Sequence, residues 1–182
     1  MTTGDALMQR WAIRALAFGA TVALVVAILK AANWLPTAIE DGLVRPYATV
    51  EEARQTLRLR QVYVPSYFPQ RLAWPPARIL AQSKPHVAVL MEFKDRERGE
   101  IALIISQSER APLYADKKLE ITKVTETVPY PLKGRSTVLA VGVCGKGDTC
   151  SRLAWTEGTL RIEAVMRSSP AELLRIADSM ID

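Results

Sequence analysis

Chemistry in this chain has few side chains to draw on. Its 182 residues include one histidine, His86, and two cysteines, Cys144 and Cys150. So few soft ligands exclude a four-coordinate zinc site, an iron–sulfur cluster or a typical haem pocket, and no metal or cofactor is expected. His86 follows Pro85 at the start of an expected strand. A triad would need it beside a serine or cysteine nucleophile, and both cysteines are better used as a bridge. An ordinary surface or strand-edge histidine is the simpler reading. No G-x-S-x-G, P-loop or H-E-x-x-H motif occurs. Residues Gly142 to Thr149 have the look of a phosphate loop, but Lys146 stands before Gly147 and Asp148 takes the lysine position. Glu51 and Glu52 fall in the first turn of an expected helix, where the dipole favours carboxylates. No catalytic residue is assigned, and the chain reads as a non-enzyme.

Cys144 and Cys150 bracket Gly-Lys-Gly-Asp-Thr between two expected strands. A hairpin brings its stems together, so the pair can reach disulfide distance. Closing so short a loop contributes about 2.4 kcal/mol in the chain-entropy account. A structural disulfide is the leading reading. A redox-active pair lacks both a C-x-x-C spacing and a neighbour that would stabilise a thiolate, and free thiols are the third alternative.

The charge balance is mildly basic, with 24 Lys and Arg against 19 Asp and Glu, a net +5. That is short of the concentrated surplus of a nucleic-acid binder, and no nucleic-acid partner is expected. The asymmetry is local. Between Ala53 and Met91 stand Arg54, Arg58, Arg60, Arg71, Arg78 and Lys84 with no acidic residue. Such a run suits anionic lipid headgroups or an acidic partner. The alternative is a solvated face whose counter-charges come from elsewhere in the fold.

Among the elements that position these groups, the first is apolar. Ala15 to Leu29 is an uncharged run between Arg14 and Lys30. At about 1.5 Å per residue it covers roughly 22 Å, short of a hydrocarbon core of roughly 30 Å. Trp11 and Trp34 would sit at the two interfaces while Arg14 and Lys30 snorkel outward, so the helix counted from Trp11 to Leu35 spans. A cleaved signal peptide and a buried helix are the competing readings, and no clean A-x-A follows Leu29. Arg10 and Arg14 precede the run, which places the N-terminus in the cytoplasm and the body in the periplasm or outside, as for a single-pass protein of a bacterial inner membrane. Ala15, Gly19, Ala23 and Ala27 recur every four residues, a small-residue stripe against which a second helix could pack, unless it merely reflects abundant alanine.

Residues 36–48 read as a linker. Thr49 with Glu52 has capping-box spacing and opens a short helix. From Val62 to Pro85 the chain carries Pro65, Pro69, Pro75, Pro76 and Pro85, which forbid a helix and a central strand. This extended ribbon holds at most one strand, Arg78 to Ser83, and its Tyr63, Tyr67, Phe68 and Trp74 are expected to close one end of the core. Alternating patterns follow at His86–Phe93, Glu100–Ser106, Leu119–Val128, Ser136–Val143, Ser151–Thr156 and Thr159–Met166. Ser169-Pro170-Ala171-Glu172 combines an N-cap serine, a first-turn proline and a capping glutamate, and opens a C-terminal helix. The expected class is α+β: an N-terminal transmembrane helix within residues 1–35, the linker, and an extracytoplasmic domain over 49–182. That domain is an antiparallel β-meander of about six strands covered by the C-terminal helix.

The segments Val50–Ala53 (VEEA), Val64–Pro69 (VPSYFP), Trp155–Gly158 (WTEG) and Ser169–Met180 (SPAELLRIADSM), with the WPP of Trp74–Pro76, resemble bacterial extracytoplasmic domains of unknown function. These are loosely similar to sigma-regulator and lipoprotein-sorting sheet domains. The resemblance covers roughly residues 47–182 and implies a sheet domain behind a single membrane anchor, with no active residue. The expected function is a membrane-anchored, non-catalytic interaction module, a sensor or an accessory subunit of a membrane complex. Its partners would be membrane lipid and another membrane protein. A lipid or lipoprotein carrier, with its ligand between sheet and helix, is the alternative.

Overall fold

The computed structural model describes residues 16, 18–30, 44–110, 113, 119–145 and 147–181. The chain divides into two units, Met1–Leu43 and Val44–Asp182.

In the first unit residues 18–30 are helical (α1). A helix of that extent rises only about 20 Å against roughly 30 Å of hydrocarbon. Among the described residues no helix is long and apolar enough to cross a membrane. The expected transmembrane helix is therefore corrected, and with it the placement as a single-pass inner-membrane protein with a cytoplasmic N-terminus and an exported body. Trp11, Arg14, Ala15 and Trp34 lie outside the described residues. Gly19, Ala23, Ala27 and Lys30 are exposed on α1. Among the described residues nothing comes within 4 Å of a Cβ placed on Gly19.

The second unit runs β1 (Arg45–Tyr47), α2 (Val50–Leu57), β2 (Arg78–Gln82), β3 (Ala88–Lys94), β4 (Ile101–Ser108), β5 (Ile121–Leu132), β6 (Arg135–Cys144), β7 (Asp148–Glu157), β8 (Leu160–Met166) and α3 (Pro170–Asp178). The strands form one antiparallel sheet of eight, in the order β1-β2-β3-β4-β8-β7-β6-β5. The count exceeds the expected six for two reasons. β1 is three residues around Pro46 and carries no periodicity; it survives because an edge strand can spare the missing N–H. β2 lies inside the proline ribbon. The order also departs from a simple meander, because β8 rather than β5 pairs with β4. The β4–β5 connection therefore crosses a face of the sheet to its far edge.

That crossing explains the apolar strands. β3 (AVLMEF) and β4 (ALIISQS) alternate as expected at Val89, Met91, Phe93 and at Leu103, Ile105, but the residues between these are buried as well, so both faces are covered. On one face Ile79, Met91, Phe93, Leu103, Ile105 and Ile162 pack beneath α2, α3 and the ribbon. On the other, Leu113 and Leu119 of the crossover join Leu90, Ile104 and the two cysteines in a second, smaller cluster.

The helices dock as their spacing dictates. In α3, Leu173, Ile176 and Ala177 fall on one face and are fully buried; the two larger side chains contribute roughly 1.5–3 kcal/mol each. α2 starts as expected: Thr49 Oγ1 accepts from Glu52 N–H at 3.0 Å, and Glu52 Oε2 accepts from Ala48 N–H at 2.9 Å. α3 does not. Ser169 is extended but its side chain makes no capping bond, and Glu172 turns away to an arginine.

Candidate functional site

Three constellations stand out, and the chemistry of each follows from its partners. The first lies where the β3–β4 turn meets the start of α3. Arg71 donates from Nε to both Glu172 carboxylate oxygens at 3.0 Å, from Nη2 to Glu172 Oε2 at 2.6 Å, and from Nη1 to Asp95 Oδ2 at 3.1 Å. Asp95 also accepts from the backbone N–H groups of Glu97 and Arg98 at 3.0 and 3.1 Å. The Arg98 N–H first, then that of Glu97 and the Arg71 guanidinium, hold the Asp95 carboxyl below its ordinary range against the opposing effect of burial. Arg71 is raised in turn, chiefly by its bond to Glu172.

Beside this cluster Arg167 donates from Nη1 to Glu100, and its Nε lies 3.3 Å from Asp148 Oδ2 without hydrogen-bond geometry. Arg78 grips the buried Glu92 through Nε at 2.9 Å and Nη2 at 2.5 Å. Cavities of about 270 and 710 Å³ flank the Arg167–Glu100 pair. Of the carboxylates that line them, Asp95, Glu92 and Glu172 are committed to arginines. The Asp95 carboxyl, held below its ordinary range, cannot serve as a general acid near neutral pH. Among the described residues no group of three or more His, Cys, Asp or Glu is placed to hold a metal ion. The network ties turns together.

The second constellation is the cysteine pair. Cys144 and Cys150 form a disulfide, with Cα atoms 5.8 Å apart and both residues fully buried against Leu90, Ile104 and Leu119. It closes the β6–β7 hairpin that presents Asp148 to Arg167. Lys146 of that hairpin lies outside the described residues. His86 is half-buried just ahead of β3.

The third is an apolar groove of about 580 Å³ between the start of α2 and the ribbon. Its floor and walls include Val50, Val62, Val64, Trp74, Pro76 and Ile79. Trp74 is 51% exposed, although its ring packs 5.0 Å from Phe68 and 6.2 Å from the buried Phe93, centroid to centroid. The ribbon is expected to close one end of the core, and Phe68 does so by packing its ring, tilted, against Phe93 at 5.0 Å. Tyr67 lies beneath the Arg175 guanidinium at 4.3 Å. Trp74 departs from that expectation: it is the exposed aromatic side chain of the second unit's described residues.

The six basic residues of the acid-free run do not form one face. Arg71 and Arg78 are paired as above, and Arg54 chelates Glu51 on its own helix at 2.8–2.9 Å. The Glu51 carboxyl, exposed, is lowered chiefly by that bond. Lys84 is exposed at the β2–β3 turn. Arg58 and Arg60 are exposed beyond α2, and among the described residues neither has a carboxylate within ion-pair distance. Arg60 lines the groove.

Sequence reasoning named Arg54 and Arg60 as candidate contacts but gave Trp74 and its two prolines only a place in the core-closing ribbon. The available signal was the Trp-Pro-Pro triplet, since two prolines after a tryptophan hold it outside any regular element. Comparison of the chain with protein-family models, with curated proteins and with solved structures found no match.

Proposed function

We propose that the second unit is a non-catalytic protein-interaction module that engages its partner, as a sensor or an accessory subunit of a complex, through the groove around Trp74. One observation carries this reading: a tryptophan half out in solvent, fixed from behind by Phe68 and Phe93 and flanked by an apolar channel. Tryptophan on a rigid, dehydrated floor is the residue type that most often dominates binding energy at protein interfaces. An exposed indole otherwise costs solubility. The carboxylates of the ion-paired end, in contrast, are spent on structure.

The alternative, a lipid or lipoprotein carrier, has its apolar opening in the same groove, since the space between sheet and helices is filled by Phe93, Leu103, Ile162 and Leu173. Photo-crosslinking in cells expressing the full chain separates the readings. A benzoylphenylalanine replacing the groove residue Gln61 should give a discrete protein adduct that Trp74→Ala abolishes, while one replacing the exposed Arg152 gives none. No adduct from position 61, or one indifferent to Trp74→Ala, rejects the proposal.

A further inference from the structure

The chemistry of the groove restricts what can lie in it, and this inference rests on the reading of the groove as a binding site. Where the ribbon forms one wall, the main chain of Tyr63 is held to the sheet by one side chain. Gln107, 1% exposed on β4, accepts from Tyr63 N–H at 2.8 Å and donates from Nε2 to Tyr63 C=O at 2.5 Å. Both peptide groups of Tyr63 are thereby turned inward to the amide.

Pro65 restricts Val64 to the extended region, and in an extended chain successive residues present their N–H and C=O to opposite sides. The main-chain groups of Val62 and Val64 accordingly face away from Gln107. Among the described residues none of them makes a hydrogen bond. Both valines are only half-buried and both line the groove. Such a pair of unsatisfied, outward-facing residues at spacing two is the repeat that an added strand satisfies.

Charge sets the second condition. Of the two arginines at the groove, Arg54 is already neutralised by Glu51, whereas Arg60 has no acidic partner among the described residues. A cationic rim beside an apolar floor is complementary to a segment that alternates apolar and acidic residues.

We infer that the partner of this groove is an extended, acidic polypeptide segment. It pairs its main chain with Val62 and Val64, lays an apolar side chain on Trp74 and Pro76, and brings a carboxylate to Arg60. Affinity then comes from main-chain bonds and the indole, and selectivity from the sign of the flanking charge.

The test titrates the full chain, labelled with 15N, with three probes: a blocked hexapeptide Glu-Leu-Pro-Glu-Leu-Glu, the same peptide with lysine for each glutamate, and phosphatidylcholine vesicles. The acidic peptide should shift the amide signals of Val62 and Val64 together with the Trp74 indole signal. Arg60→Glu should weaken it by about fivefold and strengthen the lysine peptide by a similar factor. A Trp74 shift without movement at Val62 and Val64, or equal affinity for both peptides, overturns this inference while leaving the groove as a binding site. Vesicles moving Trp74 when neither peptide does so overturn it in favour of lipid. Failure of all three probes together with the absence of a photo-adduct rejects the groove itself.

Discussion

Arg71 and Glu172, 101 positions apart, meet in a three-bond clasp in which Arg71 Nε and Nη2 hold both carboxylate oxygens at 2.6–3.0 Å. The clasp fixes the first turn of α3 to the ribbon, and it explains why Glu172 is not used as a capping residue. A carboxylate at a helix start gains from the dipole wherever it points, and here a guanidinium offers more than the Ser169 N–H would.

Removing the cation should be worse than removing the acid. Arg71→Leu strands the carboxylates of both Glu172 and Asp95, each at most a quarter exposed. Charge-assisted hydrogen bonds contribute about 1.5–3 kcal/mol, so a loss in that range is expected from urea unfolding. Glu172→Gln, which keeps an acceptor, should lose less than half as much. Equal losses for the two variants would show that Asp95 does not depend on Arg71.

Much of this architecture was legible in residue order. The strands with strict alternation, the Thr49 cap, the α3 face and the cysteine hairpin all stand where their patterns put them, because each is decided within about ten residues. What could not be read was decided at long range. β1 exists only because β2 offers it an edge, and β8 pairs with β4 only because the crossover spans a face. Trp74 looks like a core residue, but Phe68 and Phe93 back only one side of its ring and half of it stays exposed. Likewise the acid-free run from Ala53 to Met91 allowed for counter-charges from elsewhere in the fold, but not that Glu92 and Glu172 would supply them to Arg78 and Arg71. The groove was hidden for the same reason: Val62 and Val64 acquire meaning only from Gln107 on another strand.

Acid should weaken the Asp95 turn. Its folded pKa lies below that of the unfolded chain, about 3.9, because the Arg98 and Glu97 N–H groups and Arg71 favour the carboxylate. Between the two values the unfolded state binds more protons, so stability rises with pH there. The contribution is complete above about pH 4 and is lost as pH falls through the depressed folded value. Unfolding midpoints measured from pH 6 to pH 2 should therefore drop more steeply for the native sequence than for Asp95→Asn, which starts lower. Parallel curves would mean that Asp95 is not the group responsible.

Gly142 should tolerate no side chain. It faces the first bulge of β5, and a Cβ there would sit 2.3 Å from the Lys123 carbonyl oxygen and 2.6 Å from Ile121 Cγ2. The first obstacle is backbone, so β5 has to move rather than repack. Gly142→Ala should cost about 1–3 kcal/mol, the usual range for overpacking. Hydrogen exchange should show the loss concentrated in residues 121–126 of the edge strand, with β3 and β4 unaffected. A uniform loss over the sheet would contradict the assignment.

The disulfide should act on the unfolded chain more than on the folded one. Cys144 and Cys150 are fully buried and only six positions apart, so the bridge restricts a short loop and adds apolar contact to the smaller cluster. The loop-entropy contribution is about 2.4 kcal/mol. Cys144→Ala with Cys150→Ala should lower stability by about that much while leaving the sheet intact, because the β6–β7 ladder from Val138 to Cys144 is independent of the bridge. Burial makes a second, kinetic demand. A reductant in water cannot reach sulfur atoms with no exposed surface, so reduction should wait for an opening of the hairpin and accelerate with added urea. Measured by thiol alkylation, a rate independent of urea would mean that the β6–β7 hairpin opens without unfolding, and that Asp148 is released from Arg167 in the native state.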